Sequence, residues 1–165
     1  MLAASEYLDS NGPLAQKVVD FAPRKQQMEM ADAIAHALEC ETTFIAEAGT
    51  GTGKTFAYLA PAILSGQKVF ISTGTKNLQD QLFNKDLPTL RKALATPFTA
   101  ALLKGRSNYL CHYRLGLASG DPMLKPYYAN IQKLSEWAGQ SKTGDLSESN
   151  IVDDGSTLWP KVTST

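Results

Sequence analysis

Cysteine is scarce in this chain: Cys40 and Cys111 are the only two in 165 residues. That is too few for a disulfide scaffold and too few for a metal site built from four cysteines of this chain. Long apolar runs are missing as well. The longest, Phe56 to Leu64, interrupts itself with Pro61, whereas a bilayer-spanning helix needs about 20 apolar residues. The opening MLAASEYLDSNG has neither a basic stretch nor a continuous apolar one, so no secretory leader and no membrane partner are expected, and the cytoplasm is the expected compartment. Net charge is absent too, with 16 basic against 16 acidic side chains. Neither an internal repeat nor a low-complexity tract is found.

The charges that cancel overall are unevenly spread. Residues 48–114 carry 9 basic and 2 acidic side chains, whereas residues 1–47 carry 3 and 8. A basic middle third suits a polyanion, and ATP and a nucleic acid both qualify. With 43% hydrophobic residues, the chain can bury a core of ordinary domain size.

Asn11-Gly12-Pro13 and Pro23 make residues 1–23 a loop-rich lead-in with room for one short helix. Met30, Ile34 and Leu38 recur every four residues, which predicts an amphipathic helix from about Arg24 to Glu39. Thr42–Glu47, Lys68–Thr73 and Phe98–Leu103 read as strands. A helical segment, Lys54–Leu64, joins the first two, so they are expected to lie parallel with a right-handed crossover. Pro61 is expected to kink or close that helix. Leu78 and Leu82 mark a further helix, which Leu87-Pro88 is expected to break before a short stretch to Leu94. Beyond Lys104 the texture changes, and a boundary is placed there, giving domains 1–103 and 104–165. One helix with a core-facing stripe, Leu124 to Ala138, follows at about Pro122–Gly139. The tail from Gln140 shows no clear period.

The informative passage is Glu47-Ala48-Gly49-Thr50-Gly51-Thr52-Gly53-Lys54-Thr55. It has the form of a phosphate-binding loop between a strand and a helix, with Ala48 where many such loops have a glycine. Glycines at 49, 51 and 53 let backbone amides approach a polyphosphate, and the helix N-terminus adds to the same field. Lys54 is the cation for the β- and γ-phosphates, and Thr55 the hydroxyl for Mg²⁺. The bland alternative is a glycine-rich turn without a ligand.

With Phe56-Ala57-Tyr58-Leu59 following it, this loop resembles motif I of superfamily 2 helicases, in the XPD-like, DinG-type branch of iron-sulfur DNA helicases. Four other stretches resemble that branch in order: Phe21 to Gln27, Ile71 to Leu82, Leu103 to Cys111, and Trp159-Pro160 with Val162 to Thr165. The block ending at Cys111 narrows the likeness from P-loop enzymes in general to this branch. The resemblance implies an α/β fold: part of a P-loop RecA-like parallel sheet, then the start of an inserted, mainly helical iron-sulfur domain. It implies an ATP-dependent DNA helicase of 5'-3' polarity that moves on single-stranded DNA and serves DNA repair.

For single residues, the resemblance implies that Gln27, helped by Arg24, contacts adenine. An amide offers a donor and an acceptor to one base edge. By residue type alone, Gln27 reads as a solvated glutamine at a helix start. Thr73, Gly74 and Thr75 are implied as contacts to a DNA backbone, and Thr75 reads equally as a helix N-cap. Cys111 is implied as one of four ligands to a [4Fe-4S] cluster, though by composition it reads as a buried free thiol. Cys40, His36 and His112 match no family ligand.

Three more cysteines, a DEAH-type carboxylate strand and a second RecA-like domain are also implied, and residues 1–165 do not contain them. The chain is therefore expected to be an N-terminal fragment, inactive by itself, with a mobile segment after Lys104. Two rivals stand beside this reading: another P-loop enzyme, with Asn84-Lys85-Asp86 as an imperfect guanine-reading motif, and a nucleotide- or DNA-binding module without catalysis.

Overall fold

The computed structural model describes residues 3–49 and 51–164, and the chain divides into two compact units, Met1–Leu102 and Leu103–Thr165.

In the first unit, helix α1 (Pro13–Lys17) is the one short helix for which the lead-in left room, and a 3₁₀ turn, Ser5–Leu8, precedes it. Pro13 opens α1 because its missing N–H lies where no intrahelical partner is needed. Leu8 and Leu14 are fully buried, so this lead-in is part of the core. Helices α2 (Lys25–Glu39) and α3 (Lys54–Leu64) follow the apolar spacing closely and pack on each other. Pro61 does not end α3. It sits buried in the last turn, where its lost hydrogen bond costs little continuity.

Leu87-Pro88 does not break the next helix either. Helix α4 (Lys76–Gln81) passes through a π turn, Leu82–Asp86, into α5 (Leu87–Leu94), with the Leu87 N–H bonded to Leu82 O. The wider turn places Pro88 in the first turn of α5, where no donor is required.

The expected parallel sheet is not formed: among the described residues, 42–47, 68–73 and 98–103 join no strand ladder. Burial explains this. A parallel ladder needs both faces covered, and here α2 and α3 cover each other. Ile45 is 90% exposed and Phe70 87%, so the segments gain too little buried area to pair.

The second unit corrects one expectation. Gly116 and Gly120 lie within helix α6 (His112–Gly120). The helix foreseen at 122–139 divides into a 3₁₀ helix, Pro122–Tyr127, and α7 (Tyr128–Ala138), since Pro126 has no N–H for an α-helical bond. Leu124, Ile131 and Leu134 of its stripe are buried, as the spacing requires. The tail from Gln140 shows no clear period, as expected, yet it is packed. It places Leu146, Val152, Leu158 and Val162 in the same core and ends with α8 (Trp159–Val162). Single apolar residues set between capped turns, as where Asp145 accepts from the Ser147 N–H at 3.1 Å, leave no periodic trace.

Candidate functional site

The glycine-rich loop owes its shape to two left-handed residues, Gly51 at φ 77° and Gly53 at φ 81°, a conformation costly for side chains with a Cβ. Gly53 is the N-cap of α3 and has no side chain to cap it, which leaves the first-turn amides of the helix for a ligand. A second constraint acts at the same residue. Gln27 of α2 is buried, its Nε2 donates to Gly53 O at 2.9 Å, and a Cβ on Gly53 would stand 2.3 Å from that nitrogen.

Lys54 turns back over the loop, its Nζ donating to the carbonyls of Ala48 and Gly49, the latter at 2.8 Å. The Thr52 hydroxyl donates to Gly49 O at 3.0 Å. Thr50, expected in this loop, lies outside the described residues. Beside the loop runs an open cleft of about 500 Å³, lined among others by Gln26, Glu47, Ala48, Gly49 and Thr52. Thr55 occupies the first turn of α3, three residues before Tyr58. Burial raises the Tyr58 phenol above its ordinary range, with the Thr55 side chain working against that and the Asp86 charge adding to it.

The donor set fits a polyphosphate with its metal: an uncapped helix start, glycine backbone, an ammonium and a hydroxyl converge within one loop. Arg24 is the N-cap of α2, and its carbonyl accepts from Gln27 N–H at 3.0 Å. Its side chain is exposed. Thr75 caps α4 by accepting from Leu78 N–H at 3.2 Å, and Thr73 Oγ1 donates to Thr75 O at 3.4 Å. Gly74 between them has open space where a Cβ would be. Asn84-Lys85-Asp86 lies within the π turn, and Asp86 is buried with Gln81 Nε2 donating to it at 3.2 Å. This is no base-reading loop.

In the second unit, the stretches 103–111 and 159–164 come together. Trp159 Nε1 donates to Ser107 O at 2.9 Å, Cys111 N–H to Val162 O at 2.8 Å, and Ser164 N–H to Tyr109 O at 3.0 Å. Arg114 donates to Pro160 O at 2.8 Å. Below them Lys104 Nζ lies 2.8 Å from Asp145 Oδ2, both side chains buried. Burial disfavours the Asp145 carboxylate, but bonds from Lys104 and Ser147 outweigh it and hold the carboxyl below its ordinary range. Sequence reasoning missed Asp145 because nothing in local spacing ties it to Lys104.

Cys111 is half-buried just ahead of α6. Among the described residues no three His, Cys, Asp or Glu side chains group as a metal site, so these residues do not hold a cluster by themselves. No helix among them is long and apolar enough to cross a membrane.

A family model described as DEAD/DEAH box helicase matches residues 25–111. The ATP-dependent DNA helicase YoaA of Haemophilus influenzae is 49% identical over 157 residues, covering 94% of this chain and 24% of that protein. The protein of the same name from Escherichia coli is 49% identical over 158 residues, covering 94% and 25%. The 3'-5' exonuclease DinG of Bacillus subtilis is 36% identical over 155 residues, covering 90% and 16%. The chain thus spans about a quarter of the length of the two helicases it matches.

Proposed function

Since this chain belongs to the DEAD/DEAH box helicases, in the DinG/XPD-like branch, we propose that residues 1–102 supply the ATP-phosphate end of an ATP-dependent DNA helicase. The observation that carries this reading is the loop at the start of α3. There, left-handed Gly51 and Gly53, uncapped first-turn amides and the Lys54 ammonium share one small volume.

In this reading the loop from Ala48 to Gly53, Thr50 included, binds the phosphates through its amides. Lys54 leaves the Ala48 and Gly49 carbonyls for the β- and γ-phosphates, and Thr55 turns its hydroxyl to Mg²⁺. ATP with Mg²⁺ supplies the phosphoryl chemistry. Gln27 does two things: one donor holds Gly53 O while its remaining amide groups, with Arg24 nearby, serve adenine. Thr73, Gly74 and Thr75 contact a single-stranded DNA backbone without reading sequence, and translocation runs 5'-3' in the cytoplasm in the service of DNA repair. The sheet of the RecA-like fold forms when 42–47, 68–73 and 98–103 find covered neighbours.

Residues 103–165 are proposed as the opening of the iron-sulfur domain, with Cys111 one ligand and the others outside residues 1–165. The pinning of the Cys111 N–H to Val162 O supports a fixed place for that thiol.

The test is Lys54→Ala with a fluorescent ATP analogue. The expected outcome is loss of magnesium-nucleotide binding with single-stranded DNA binding retained. Wild-type affinity in the variant sinks the assignment.

A further inference from the structure

Cys111 ends a short extended stretch, 109–111, that is held on both flanks. On one side Leu110 N–H donates to Gly144 O at 2.9 Å, and Tyr109 pairs with Asp145 in an antiparallel bridge. On the other, Leu110 pairs with Thr163, and Cys111 N–H and Ser164 N–H close the edge through Val162 O and Tyr109 O. The first flank carries a buried ion pair. Asp145 Oδ2 meets Lys104 Nζ at 2.8 Å, while Asp145 Oδ1 accepts from Ser147 Oγ at 2.7 Å and from Ser147 N–H at 3.1 Å. Lys104 then returns to the stretch, its own N–H donating to the Tyr109 hydroxyl at 2.8 Å. Lys104, Tyr109 and Asp145 thus close a ring just ahead of Cys111.

Stability alone does not call for such a ring. A buried ion pair is often no more stabilising than apolar side chains of the same volume, and its better-attested use is to fix one register. Register matters here, because a slip of one residue turns every side chain of an extended stretch to the opposite face. A stretch this short, with one bridge on each flank, has little else to specify it. Cys111 is a free, half-buried thiol, and thiolates are the donors that iron-sulfur clusters take, so the side chain fits the place given to it above. We propose that Lys104 and Asp145 are positioning residues for the Cys111 thiol: their ion pair locks the register of 109–111 and with it the face on which the thiol is presented to a cluster. The part that concerns the cluster rests on the reading of Cys111 as a ligand.

The experiment reads Cys111 itself, in the 165-residue chain carrying Cys40→Ser, so that a small thiol reagent finds one target. The readout is the rate of modification in the folded chain relative to the rate in urea, with tryptophan fluorescence reporting whether each variant is folded. Lys104→Met/Asp145→Leu removes both charges without leaving one unpaired, and is expected to be folded yet to react about tenfold faster than the parent, since the stretch is then free to open locally. Tyr109→Phe removes only the acceptor of the Lys104 N–H, and is expected to move the rate the same way by less. A rate at or below that of the parent in a folded double variant, or in Tyr109→Phe should the double variant not fold, overturns the proposal. Iron retained by Cys111→Ser in a protein carrying all four proposed ligands overturns the ligand reading instead, and leaves the hold of the ion pair on the thiol to be decided by the rate.

Discussion

Replacing Asp145 by alanine takes the negative charge away from a buried ammonium. The Lys104 side chain is 7% exposed and that of Asp145 6%, with N and O 2.8 Å apart. Breaking such a pair from one side costs about 3–5 kcal/mol, because the remaining charge stays desolvated. A unit of about 60 residues has roughly 3–9 kcal/mol in all, at about 0.05–0.15 kcal/mol per residue. The loss is therefore comparable with the whole stability of residues 103–165. At about 4–8 °C per kcal/mol for a domain of this size, the midpoint should fall by about 12 °C or more. The chain supplies its own reporter, since its two tryptophans, Trp137 and Trp159, both lie in this unit. Trp159 is buried with its Nε1 on Ser107 O, so fluorescence follows this unit without contribution from the other. The companion variant pairs Asp145→Leu with Lys104→Met. Removing both charges should restore much of the stability, because no buried ion is left behind. A single Asp145→Ala variant within about 0.5 kcal/mol of wild type, the usual range for surface changes, would refute the reasoning.

Asp145 also sets a pH response: its carboxyl is held below the ordinary range in the fold, so its stabilisation is complete above that range and drains away as pH falls through the depressed value. Tryptophan-detected urea midpoints in acid should show this slope in wild type and lose it in Asp145→Leu/Lys104→Met. Gly53→Ala combines a left-handed φ of 81° with a Cβ 2.3 Å from Gln27 Nε2, so it should weaken nucleotide binding at least tenfold. Adding Gln27→Ala removes the clash but also the amide proposed to serve adenine, so the double variant should not regain wild-type binding in the same titration. In a protein carrying all four proposed cluster ligands, Cys111→Ser should remove the iron while Cys40→Ser keeps it, by iron assay after anaerobic purification. Equal iron in both variants would end the assignment of Cys111.

Helix positions were legible because their signals are local. The four-residue recurrence of Met30, Ile34 and Leu38 is enough to locate α2, and the loop at 48–55 declares itself by residue type. What sequence missed depends on distant partners. Gln27 reads as solvated until α2 packs beside Gly53, and Asp145 has no meaning until it meets Lys104. Proline was misread at two places: Pro88 lies in a first helical turn, where one N–H is spare, and Pro61 lies in the last turn of α3, where the missing bond interrupts little. The strands failed for another reason: β-branched and apolar runs at 42–47 and 68–73 state a preference, but only a covered neighbour turns it into a ladder.

The bare segments have a consequence at the bench. Backbone that has found no ladder, beside Ile45 and Phe70 standing in water, accepts a strand from any chain, including another copy. Ordinarily, mutual repulsion would keep copies apart. Here the formal net charge is zero and the isoelectric point about 6.7, so neutral buffer removes that protection. Self-association should therefore rise with concentration and be worst near neutrality, and moderately alkaline buffer is the natural place to keep the chain dispersed.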